Sequence, residues 1–296
     1  MGYISVKEAS EKWGVTERVV RQYCADGRIS GAFLTGKTWN IPDHTEKPGR
    51  KARERKLPTG ILSRLRLEKD DRVPGGIYHK VQIELTYNSN HIEGSRLTHD
   101  QTRYIFETNT IDAPDGAVNV DDILETVNHF RCIDLVIDQA KRPLSESLIK
   151  QLHRILKTGT ADSRKNWFAV GDYKRLANEV GGMKTTAPED VSKRIKELLA
   201  DYRSCTPISF DDLLDFHYRF ESIHPFQDGN GRVGRLILFK ECLRHDIVPF
   251  IIEDDMKMFY YRGLREWKNE RGYLRDTCLA AQDRFKMYLD YYKIKY

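Results

Sequence analysis

The sequence predicts a mainly α-helical protein with one small β-hairpin, preceded by a small separate domain. Between residue 61 and the C-terminus, apolar residues recur at three- and four-residue steps in most segments, which is the spacing of amphipathic helices. Gly181-Gly182, a two-residue hairpin turn, stands between two short stretches with strand character. The net charge of +5 is confined to residues 1–56, which hold twelve basic and seven acidic residues, whereas the remainder holds 37 of each. A basic head and a neutral body indicate two domains with different partners.

Composition limits the classes of protein that this chain can represent. Its 296 residues are enough for one large core and a small domain, and its hydrophobic fraction of 40% and charged fraction of 31% are typical of globular proteins in water. We find no apolar run of eighteen residues and no N-terminal apolar segment, so we expect no membrane partner. The five cysteines are scattered and never in C-x-x-C spacing, which favours a reducing cytoplasm and argues against zinc.

The first 43 residues predict a small domain of two short helices and a hairpin. Ser5 and Glu8 form a capping box at the start of the first helix. Thr16 is the predicted cap of the second helix, and Gly27 its stop. From residue 29 to residue 41, apolar residues alternate around a glycine turn, as in a hairpin.

Three short stretches of this head form a recognisable pattern. They are Ser5-Val6-Lys7-Glu8-Ala9, Gly14-Val15-Thr16 and Arg18-Val19-Val20-Arg21. Together with the following hairpin they resemble the winged helix-turn-helix of excisionase and MerR-type DNA readers. The resemblance implies DNA binding through the second helix and the wing tip, by Arg18, Arg21, Gln22 and Lys37. A merely solvated helix face and a protein-contact role are open alternatives.

Residues 44–60 predict a basic linker. The segment is polar, contains Pro48 and Pro58, and cannot build a core. Its basic residues would add a non-specific attraction to phosphate that salt weakens. These residues are Arg50, Lys51, Arg53, Arg55 and Lys56.

Spacing and capping signals place the helices of the body, which we predict to span residues 61–296. Ser145 is suited to a helix cap, and Pro188 to the first turn of another helix. In the helix predicted for residues 77–93, four-residue steps lead to Ser89 and Glu93, so one face turns polar toward its end. The other predicted helices cover residues 61–71, 98–108, 120–140, 144–157 and 210–223, and further helices begin near residues 188 and 232.

The stretch from His224 to Arg235 concentrates the chemistry of the chain. Pro225 ends the preceding helix, and residues 228–231 form a tight loop that leads into the next helix. Unpaired backbone N–H groups and the helix dipole favour an anion at that helix N-terminus. The two glycines of the loop lack the Cβ atoms that would hold a phosphate at a distance.

The charged side chains of this stretch suit a nucleotide. Arg232 and Arg235 are three residues apart, so they lie on one helix face and can hold successive phosphates. Asp228 offers hard oxygen atoms to a Mg²⁺ ion that bridges phosphates. His224 titrates near neutrality and is placed to take a proton from an attacking hydroxyl. The stretch therefore predicts a nucleotide-phosphate site with a base at its rim.

Other interpretations of this stretch explain less. The glycines match G-x-G-x-x-G, but a dinucleotide site must follow a β-strand, and the preceding segment has helical spacing. A Walker loop would need Lys-Ser or Lys-Thr where Arg235-Leu236 stands. A purely structural corner does not account for the charged residues. A metal hydrolase has a candidate ligand set whose spacing matches no helical pair, namely His217, His224, Asp228 and His245.

The fixed positions of the motif H-x-F-x-[DE]-G-N-G-R-x-x-R are all matched here, by His224, Phe226, Asp228, Gly229, Asn230, Gly231, Arg232 and Arg235. The chain thus resembles the Fic family, over about residues 75–290. The resemblance implies a Fic-type helical bundle with a small β-hairpin flap. It also implies transfer of AMP from ATP to a protein hydroxyl, with His224 as base and Asp228 holding Mg²⁺. The residues that it implies for the nucleotide and its phosphates are Phe226, Gly229, Asn230, Gly231, Arg232 and Arg235.

The helix predicted for residues 77–93 gains a role from this resemblance. Residues 89–94 match the family's inhibitory pattern [ST]-x-x-x-E-[GN], through Ser89 and Glu93. The resemblance implies that Glu93 pairs with Arg235 and denies it to the γ-phosphate. A bidentate arginine–carboxylate bond is strong enough to compete with one phosphate contact, so the enzyme would rest in an inhibited state. Without the motif, the two residues would simply be the exposed end of a helix.

Two further segments resemble parts of the family. Residues 171–174 resemble the G-x-Y-R stretch before the flap, although Lys174 stands where arginine is usual. The flap, predicted over residues 176–180 and 183–186, would clamp an extended target segment by strand pairing; a plain surface hairpin is the alternative. Tyr260 and Tyr261 would stack on adenine, with an aromatic core ridge as the alternative.

The predicted function is that of a protein adenylyltransferase with a DNA-binding head. Its substrates would be Mg-ATP and a target protein with a Ser, Thr or Tyr hydroxyl. Removal of AMP by the same site and transfer of another phosphate-linked group are close alternatives. A DNA-binding regulator whose body senses nucleotide is a different class. The target, the DNA sequence and the presence of a homo-oligomer stay open.

Overall fold

The computed structural model describes residues 2–49, 57–112 and 116–296. Two compact units make up the chain, Met1–Lys56 and Leu57–Tyr296. The basic residues of the predicted linker, from Arg50 to Lys56, lie outside the described residues. Helices account for most of the described chain, and the β structure is limited to one small three-stranded sheet and one two-stranded hairpin. The predicted fold class, mainly α, is confirmed.

The N-terminal unit packs two helices against a small sheet. Helix α1 (Val6–Trp13) begins at the predicted capping box, in which the Glu8 N–H donates to Ser5 Oγ and the Ser5 N–H donates to the Glu8 carboxylate. Gly14, in the left-handed region at φ 62°, ends α1. Helix α2 (Glu17–Ala25) follows. The core of this unit consists of Val6, Ala9, Trp13, Val20, Cys24, Ile29 and Ile41.

The sheet of this unit is antiparallel, with strand order β1-β3-β2. The predicted hairpin is present as β2 (Phe33–Thr35) and β3 (Thr38–Pro42), with Thr35 opposite Thr38. Strand β1 (Tyr3–Ile4), which was not predicted, pairs with the far end of β3. It was missed because two residues are too few to show an alternating pattern.

Ten helices and a two-stranded hairpin form the described part of the larger unit. The hairpin consists of β4 (Glu179–Val180) and β5 (Met183–Lys184). The helices are α3 (Ile61–Asp70), α4 (Ile77–Ile92), α5 (His99–Thr108), α6 (Val120–Gln139), α7 (Glu146–Lys157), α8 (Pro188–Ser204), α9 (Phe210–Ile223), α10 (Asn230–Arg244), α11 (Lys257–Glu266) and α12 (Gly272–Tyr291).

Helix α10 is the centre of this unit. Its residues from Asn230 to Leu243 are all buried, and it packs against α4, α6, α7 and α9. A helix that is buried on every side is held firmly by its neighbours. Its N-terminus, which carries the end of the motif, therefore has a fixed position and direction.

The predicted hairpin turn is present, but its strands are shorter than expected. Gly181 and Gly182 both have positive φ, at 57° and 78°, as a tight hairpin turn requires. Each strand has only two residues, where the sequence predicted five and four. The chain on both sides of the strands is tied instead to side chains, since Thr185 donates to the carbonyl and amide oxygens of Asn178. No helix among the described residues combines the length and the apolarity that crossing a membrane needs.

Candidate active site

The motif forms a six-residue loop between α9 and α10. His224 ends α9 in the left-handed region at φ 51°, and its N–H donates to Phe220 O at 3.0 Å. Gly229, at φ 82°, is the N-cap of α10. The helix begins at Asn230, so Gly231 lies in its first turn rather than in the loop as predicted.

Two predicted nucleotide-binding side chains instead fix the shape of this loop. Both polar atoms of the Asn230 amide bond the backbone of Phe226, whose N–H donates to Oδ1 at 2.8 Å and whose carbonyl accepts from Nδ2 at 2.9 Å. The Phe226 ring is fully buried and stacks on His153, with ring centroids 4.0 Å apart and planes at 4°. Both side chains therefore stabilise the shape of the loop from the protein interior. What they leave for an anion is the backbone at the start of α10.

His153 completes the support of the loop. Its Nδ1 accepts a hydrogen bond from the Gly171 N–H at 2.9 Å, so its Nε2 carries the proton that bonds Asp228 O at 3.2 Å. Burial is the main cause that lowers the pKa of His153 to about 3, with the nearby Lys157 ammonium adding to it. The imidazole is neutral at physiological pH and holds the Asp228 carbonyl and the Gly171 N–H at fixed positions. His153 was not identified from the sequence, because a histidine on an apolar helix face has no distinguishing motif.

Arg235, in α10, contacts the C-terminal end of α4, the predicted inhibitory helix. Its Nε donates to Ser89 Oγ at 2.9 Å, and its Nη2 bonds both Ser89 O at 2.9 Å and Glu93 Oε1 at 2.6 Å. The predicted pairing partner is present, but the contact with the carboxylate is single rather than bidentate. Ser89 takes the other side of the guanidinium. Ser89 is buried, whereas Glu93 is exposed, so the alternative of an exposed helix end describes Glu93 but not Ser89.

Gly231 makes room for this contact. A Cβ atom at residue 231 would overlap Glu93 Oε1 and would lie 3.0 Å from Arg235 Nη1. The carboxylate therefore rests against the first turn of α10, where unpaired N–H groups and the positive end of the helix dipole favour a negative charge. Glu93 thus occupies the type of position that an anionic phosphate group would take.

A second group of charges surrounds Asp228. Its Oδ2 is 2.7 Å from Lys157 Nζ and 3.1 Å from Arg232 Nη2. Glu125 bonds the same two cations, with 2.5 Å to Lys157 Nζ and a short contact to Arg232 Nη1. Burial alone would raise the pKa of Asp228, but Arg232 and Lys157 outweigh it and hold the pKa well below its usual range.

This network changes the prediction for Arg232. Its side chain is only 5% exposed, and both terminal nitrogens bond carboxylates of the protein. The guanidinium group is therefore already engaged by Glu125 and Asp228 and is not open to a phosphate. Lys157 and Glu125 were not identified from the sequence. They come from α7 and α6, 71 and 107 residues away from the motif residues that they contact. No spacing rule connects them with the motif, so their role appears only in the fold.

Asp228 is the predicted ligand of Mg²⁺. Among the described residues, no group of three or more His, Cys, Asp or Glu side chains is arranged to hold a metal ion. Mg²⁺ in nucleotide sites is commonly held by one or two carboxylates together with substrate phosphates. Asp228 provides one ionised carboxylate, 46% exposed, at the end of the loop. A metal held jointly with a nucleotide therefore fits, and a metal held by the protein alone does not.

His224 is partly buried at the opposite end of the loop. Burial lowers its pKa to about 4, and the ammonium group of Lys174 adds to the effect. At neutral pH the imidazole is uncharged and free to accept a proton. Lys174 bonds Asn178 Oδ1 at 2.7 Å and Thr185 Oγ1 at 2.6 Å, and burial lowers its own pKa to about 8.

The two predicted adenine-stacking residues have different surroundings. Tyr260 is 1% exposed, and its hydroxyl is 2.6 Å from His217 Nε2. It has no open ring face here, which fits the aromatic core alternative. Tyr261 is 39% exposed, and its hydroxyl donates to Ile92 O at 3.3 Å. Tyr261 thus lies next to the C-terminal end of α4 with an accessible ring.

The four residues predicted to contact DNA are exposed in the N-terminal unit: Arg18, Arg21, Gln22 and Lys37. Arg21 forms an ion pair of 2.6 Å with Glu17, and Gln22 donates to Asp26 at 2.7 Å. Arg18 and Lys37 have no ion pair within the described residues. Two of the four side chains are thus already engaged by carboxylates of their own helix region.

The fold and site define a class of helical protein in which a histidine and a carboxylate flank the N-terminus of a buried helix. Residues 143–241 match the Fic/DOC family, so this part of the chain is a Fic/DOC family domain. The family resemblance inferred from the motif is confirmed for this domain.

Curated relatives of this chain carry the name protein adenylyltransferase Fic. One from Nematostella vectensis is 29% identical over 185 residues, which is 61% of this chain and 42% of the relative. One from Drosophila willistoni is 31% identical over 189 residues, which is 60% of this chain and 35% of the relative. The chain therefore spans less than half the length of these relatives.

Solved structures share the fold. A Fic domain containing signaling protein from Bacteroides thetaiotaomicron has a TM-score of 0.57 and 25% identity, over 78% of this chain and 91% of that chain. Fic-1 from C. elegans has a TM-score of 0.59 and 21% identity, over 78% of this chain and 72% of that chain. The second likeness concerns the fold alone.

Proposed function

We propose that the body transfers AMP from Mg-ATP to a Ser, Thr or Tyr hydroxyl of a target protein, and that Glu93 inhibits it at rest. The observation that carries the proposal is the placement of His224 and Asp228 at the two ends of one loop, in front of the N-terminus of α10. The adenylyltransferase names of the relatives support AMP as the transferred group.

The roles of the residues follow from their surroundings. The target hydroxyl oxygen would attack the α-phosphorus and give its proton to the neutral imidazole of His224, while the bond to the β-phosphate oxygen breaks and pyrophosphate leaves. The N–H groups at the start of α10 would hold phosphate oxygens. Asp228 would hold Mg²⁺ together with the nucleotide, and the metal would offset phosphate charge. Lys157 and Arg232 would keep Asp228 ionised.

In the proposed inhibition, the Glu93 carboxylate and the γ-phosphate of ATP compete for the same position. The Glu93 carboxylate lies on the first turn of α10 and bonds Arg235 Nη2. A γ-phosphate would need the same guanidinium and the same helix terminus. With Glu93 in place, ATP would bind in a pose that turns its α-phosphate away from in-line attack.

Two alternatives use the same chain differently. Removal of AMP from a modified protein would use the same loop, with water in place of the target hydroxyl. A DNA-binding regulator would use the N-terminal unit, in which Arg18 and Lys37 are exposed cations without ion pairs among the described residues. We propose that DNA binding by this unit is coupled to AMP transfer and does not replace it.

The test uses ATP labelled on the α-phosphate, incubated with a cell lysate and the purified chain. Wild type, Glu93→Gly and His224→Ala should be compared. Protein-bound label should rise for Glu93→Gly and disappear for His224→Ala. A parallel sample with label on the γ-phosphate should show no more protein-bound label than the lysate without the chain, because only lysate kinases use that phosphate. An increase that depends on Glu93→Gly would mean that the transferred group is phosphate and that AMP transfer is wrong.

A further inference from the structure

A polar cleft of about 500 Å³ lies beside the segment that leads into the flap. Its walls come from α7 and from the chain between α7 and β4. The lining residues that give the cleft its charge and shape are Lys150, Arg154, Asn166, Gly171, Asp172 and Arg175. None of them takes part in the site described above, apart from the backbone of Gly171.

The cleft has an excess of positive charge. Its one carboxylate, Asp172, accepts hydrogen bonds from Lys150 Nζ at 2.9 Å and from the Tyr173 N–H at 2.8 Å. Arg154 and Arg175 form no ion pair within the described ranges, and Arg175 bonds only the carbonyl of Asn166, at 2.8 Å. Two guanidinium groups are therefore left for an anion from outside.

The backbone of the cleft is adapted to hold one of these groups. Gly171 has φ 74°, a conformation that suits glycine, and a Cβ atom there would lie 2.6 Å from both Cβ and Nε of Arg154. The Arg154 side chain lies directly over this glycine. Since Gly171 also donates its N–H to His153, the position of the cleft is fixed relative to the loop that carries Asp228.

The same wall is joined to the motif loop and to the flap. The Lys174 N–H donates to Pro225 O at 2.9 Å, and the Leu176 N–H donates to Gln227 Oε1 at 3.3 Å. Strand β4 begins at Glu179, three residues after Leu176. The wall of the cleft is therefore tied to the motif loop by hydrogen bonds and continues in the chain into the flap.

A second cleft, of about 520 Å³, has a different charge arrangement. It is lined in part by α8 and α9, and three of its four cations have carboxylate partners: Arg194 with Glu197, Arg219 with Asp201 and Asp215, and Arg271 with Asp215. The second cleft thus has one cation without an ion pair among the described residues, Lys268, against two in the cleft of Arg154 and Arg175.

We propose that this cleft binds an acidic segment of the target protein, next to the hydroxyl that receives AMP. The inference rests on the proposed function and names the class of substrate. Charge complementarity selects carboxylate side chains as the occupant. Trp167 and Leu176, neighbours of the lining residues in the chain, are 43% and 49% exposed, which suits a peptide with apolar residues beside its acidic ones.

The first measurement is peptide binding by fluorescence anisotropy, with the full chain carrying Glu93→Gly. Two labelled peptides share the same central sequence, which contains Ser, Thr and Tyr. In one peptide this centre is flanked on both sides by Asp residues, and in the other by Asn residues. The Asp peptide should bind at least about tenfold more tightly, and its advantage should shrink as salt rises. Arg154→Glu/Arg175→Glu should abolish that advantage. The matched control Lys193→Glu/Arg194→Glu, with equal charge change on exposed positions of α8, should keep it.

The second measurement is transfer of labelled AMP to the same peptides and to the enzyme itself. The charge-reversed variant should lose its preference for the Asp peptide while self-labelling continues. Equal binding of the two peptides, or a preference that survives Arg154→Glu/Arg175→Glu, would overturn the assignment of the cleft. Absence of all AMP labelling, including self-labelling, would instead overturn the proposed function.

Discussion

Glu93 Oε1 lies 2.6 Å from Arg235 Nη2, although 142 residues separate the two in the sequence. The contact joins the C-terminal end of α4 to the first turns of α10. The side chain of Glu93 is 26% exposed and that of Arg235 only 4%. The carboxylate can therefore rotate into solvent while the guanidinium stays in place. This asymmetry is what a releasable inhibitory contact requires.

Removing the Glu93 carboxylate should activate the enzyme. Glu93→Gly frees Arg235 and the first turn of α10 for a γ-phosphate, so we expect labelled-AMP incorporation to rise at least about tenfold, the effect of one charge-assisted contact. Self-modification and labelling of lysate proteins, measured at equal Mg-ATP, check this. A rate equal to that of wild type would mean that α4 has only a structural role here.

Arg235 is the control for that experiment. Arg235→Ala should lower activity, and the double variant with Glu93→Gly should show no gain, because partners in one contact do not contribute additively. Ser89→Ala, which removes one bond to Arg235 Nε but leaves the carboxylate, should activate less than Glu93→Gly. Independent, additive effects of Glu93 and Arg235 would contradict the proposed competition.

His224 should be needed for transfer but not for nucleotide binding. His224→Ala removes the proton acceptor, and loss of a general base costs about 10²- to 10⁴-fold in rate. His224→Asn serves as backbone control, since asparagine tolerates the left-handed conformation that residue 224 adopts. Both variants should bind ATP like their parent by calorimetry. Transfer by either at the parent rate would remove His224 from the mechanism.

Much of the fold was predictable because its signals are local. The capping box at Ser5, the helix cap at Ser145, the proline at the start of α8 and the glycine turn of the flap all depend on neighbouring residues. The errors are local as well. Thr16 stands at the N-cap of α2 but its side chain makes no capping bond, and the flap strands are shortened by side-chain contacts.

Only those parts of the site that lie within a recognisable sequence motif could be predicted. The loop, the helix N-terminus and the partner of Arg235 were expected from the sequence. The commitment of Asn230 to Phe226 and the cations around Asp228 were not, because they depend on which side chains α6 and α7 place beside the loop. Such long-range contacts leave no periodic signal in a single sequence.

Asp228 should link nucleotide binding to Mg²⁺. In the Glu93→Gly background, Mg²⁺ should strengthen ATP binding, and Asp228→Ala should remove that dependence because its ionised carboxylate is the proposed ligand. Chelation of the metal should then make the two proteins bind ATP alike. Calorimetric titration with and without Mg²⁺ measures this directly. If the variant keeps the full Mg²⁺ effect, the ligand must be another residue.

Glu221 should make stability depend on pH. Its Oε1 is buried with no hydrogen-bond partner among the described residues, and burial raises its pKa to about 8, although Arg235 opposes the shift. The folded state thus keeps a proton that the unfolded chain releases near pH 4.5. The contribution to stability is complete below pH 4.5 and is lost as pH rises toward 8, by at most about 1.4 kcal/mol per pH unit.

Glu221→Gln tests this sign, because the amide cannot ionise. The free energy of unfolding of the variant minus that of wild type should grow by at least about 1 kcal/mol between pH 5 and pH 8. The buried histidines titrate equally in both proteins, so they cancel in the difference. Denaturant unfolding at several pH values gives the result. A difference that is constant with pH would mean that Glu221 is ionised in the folded state.

The N-terminal unit should bind duplex DNA in a salt-dependent way. For the full chain, the logarithm of the binding constant should fall linearly with the logarithm of salt concentration, as phosphate contacts release counterions. Arg18→Ala/Lys37→Ala removes two exposed cations, so it should weaken binding and reduce the slope by about two. Lys193→Ala/Arg194→Ala, which removes equal charge from the body, should change neither. If both pairs weaken binding alike, or if no duplex is bound at low salt, the helix-turn-helix resemblance would reflect a protein contact instead.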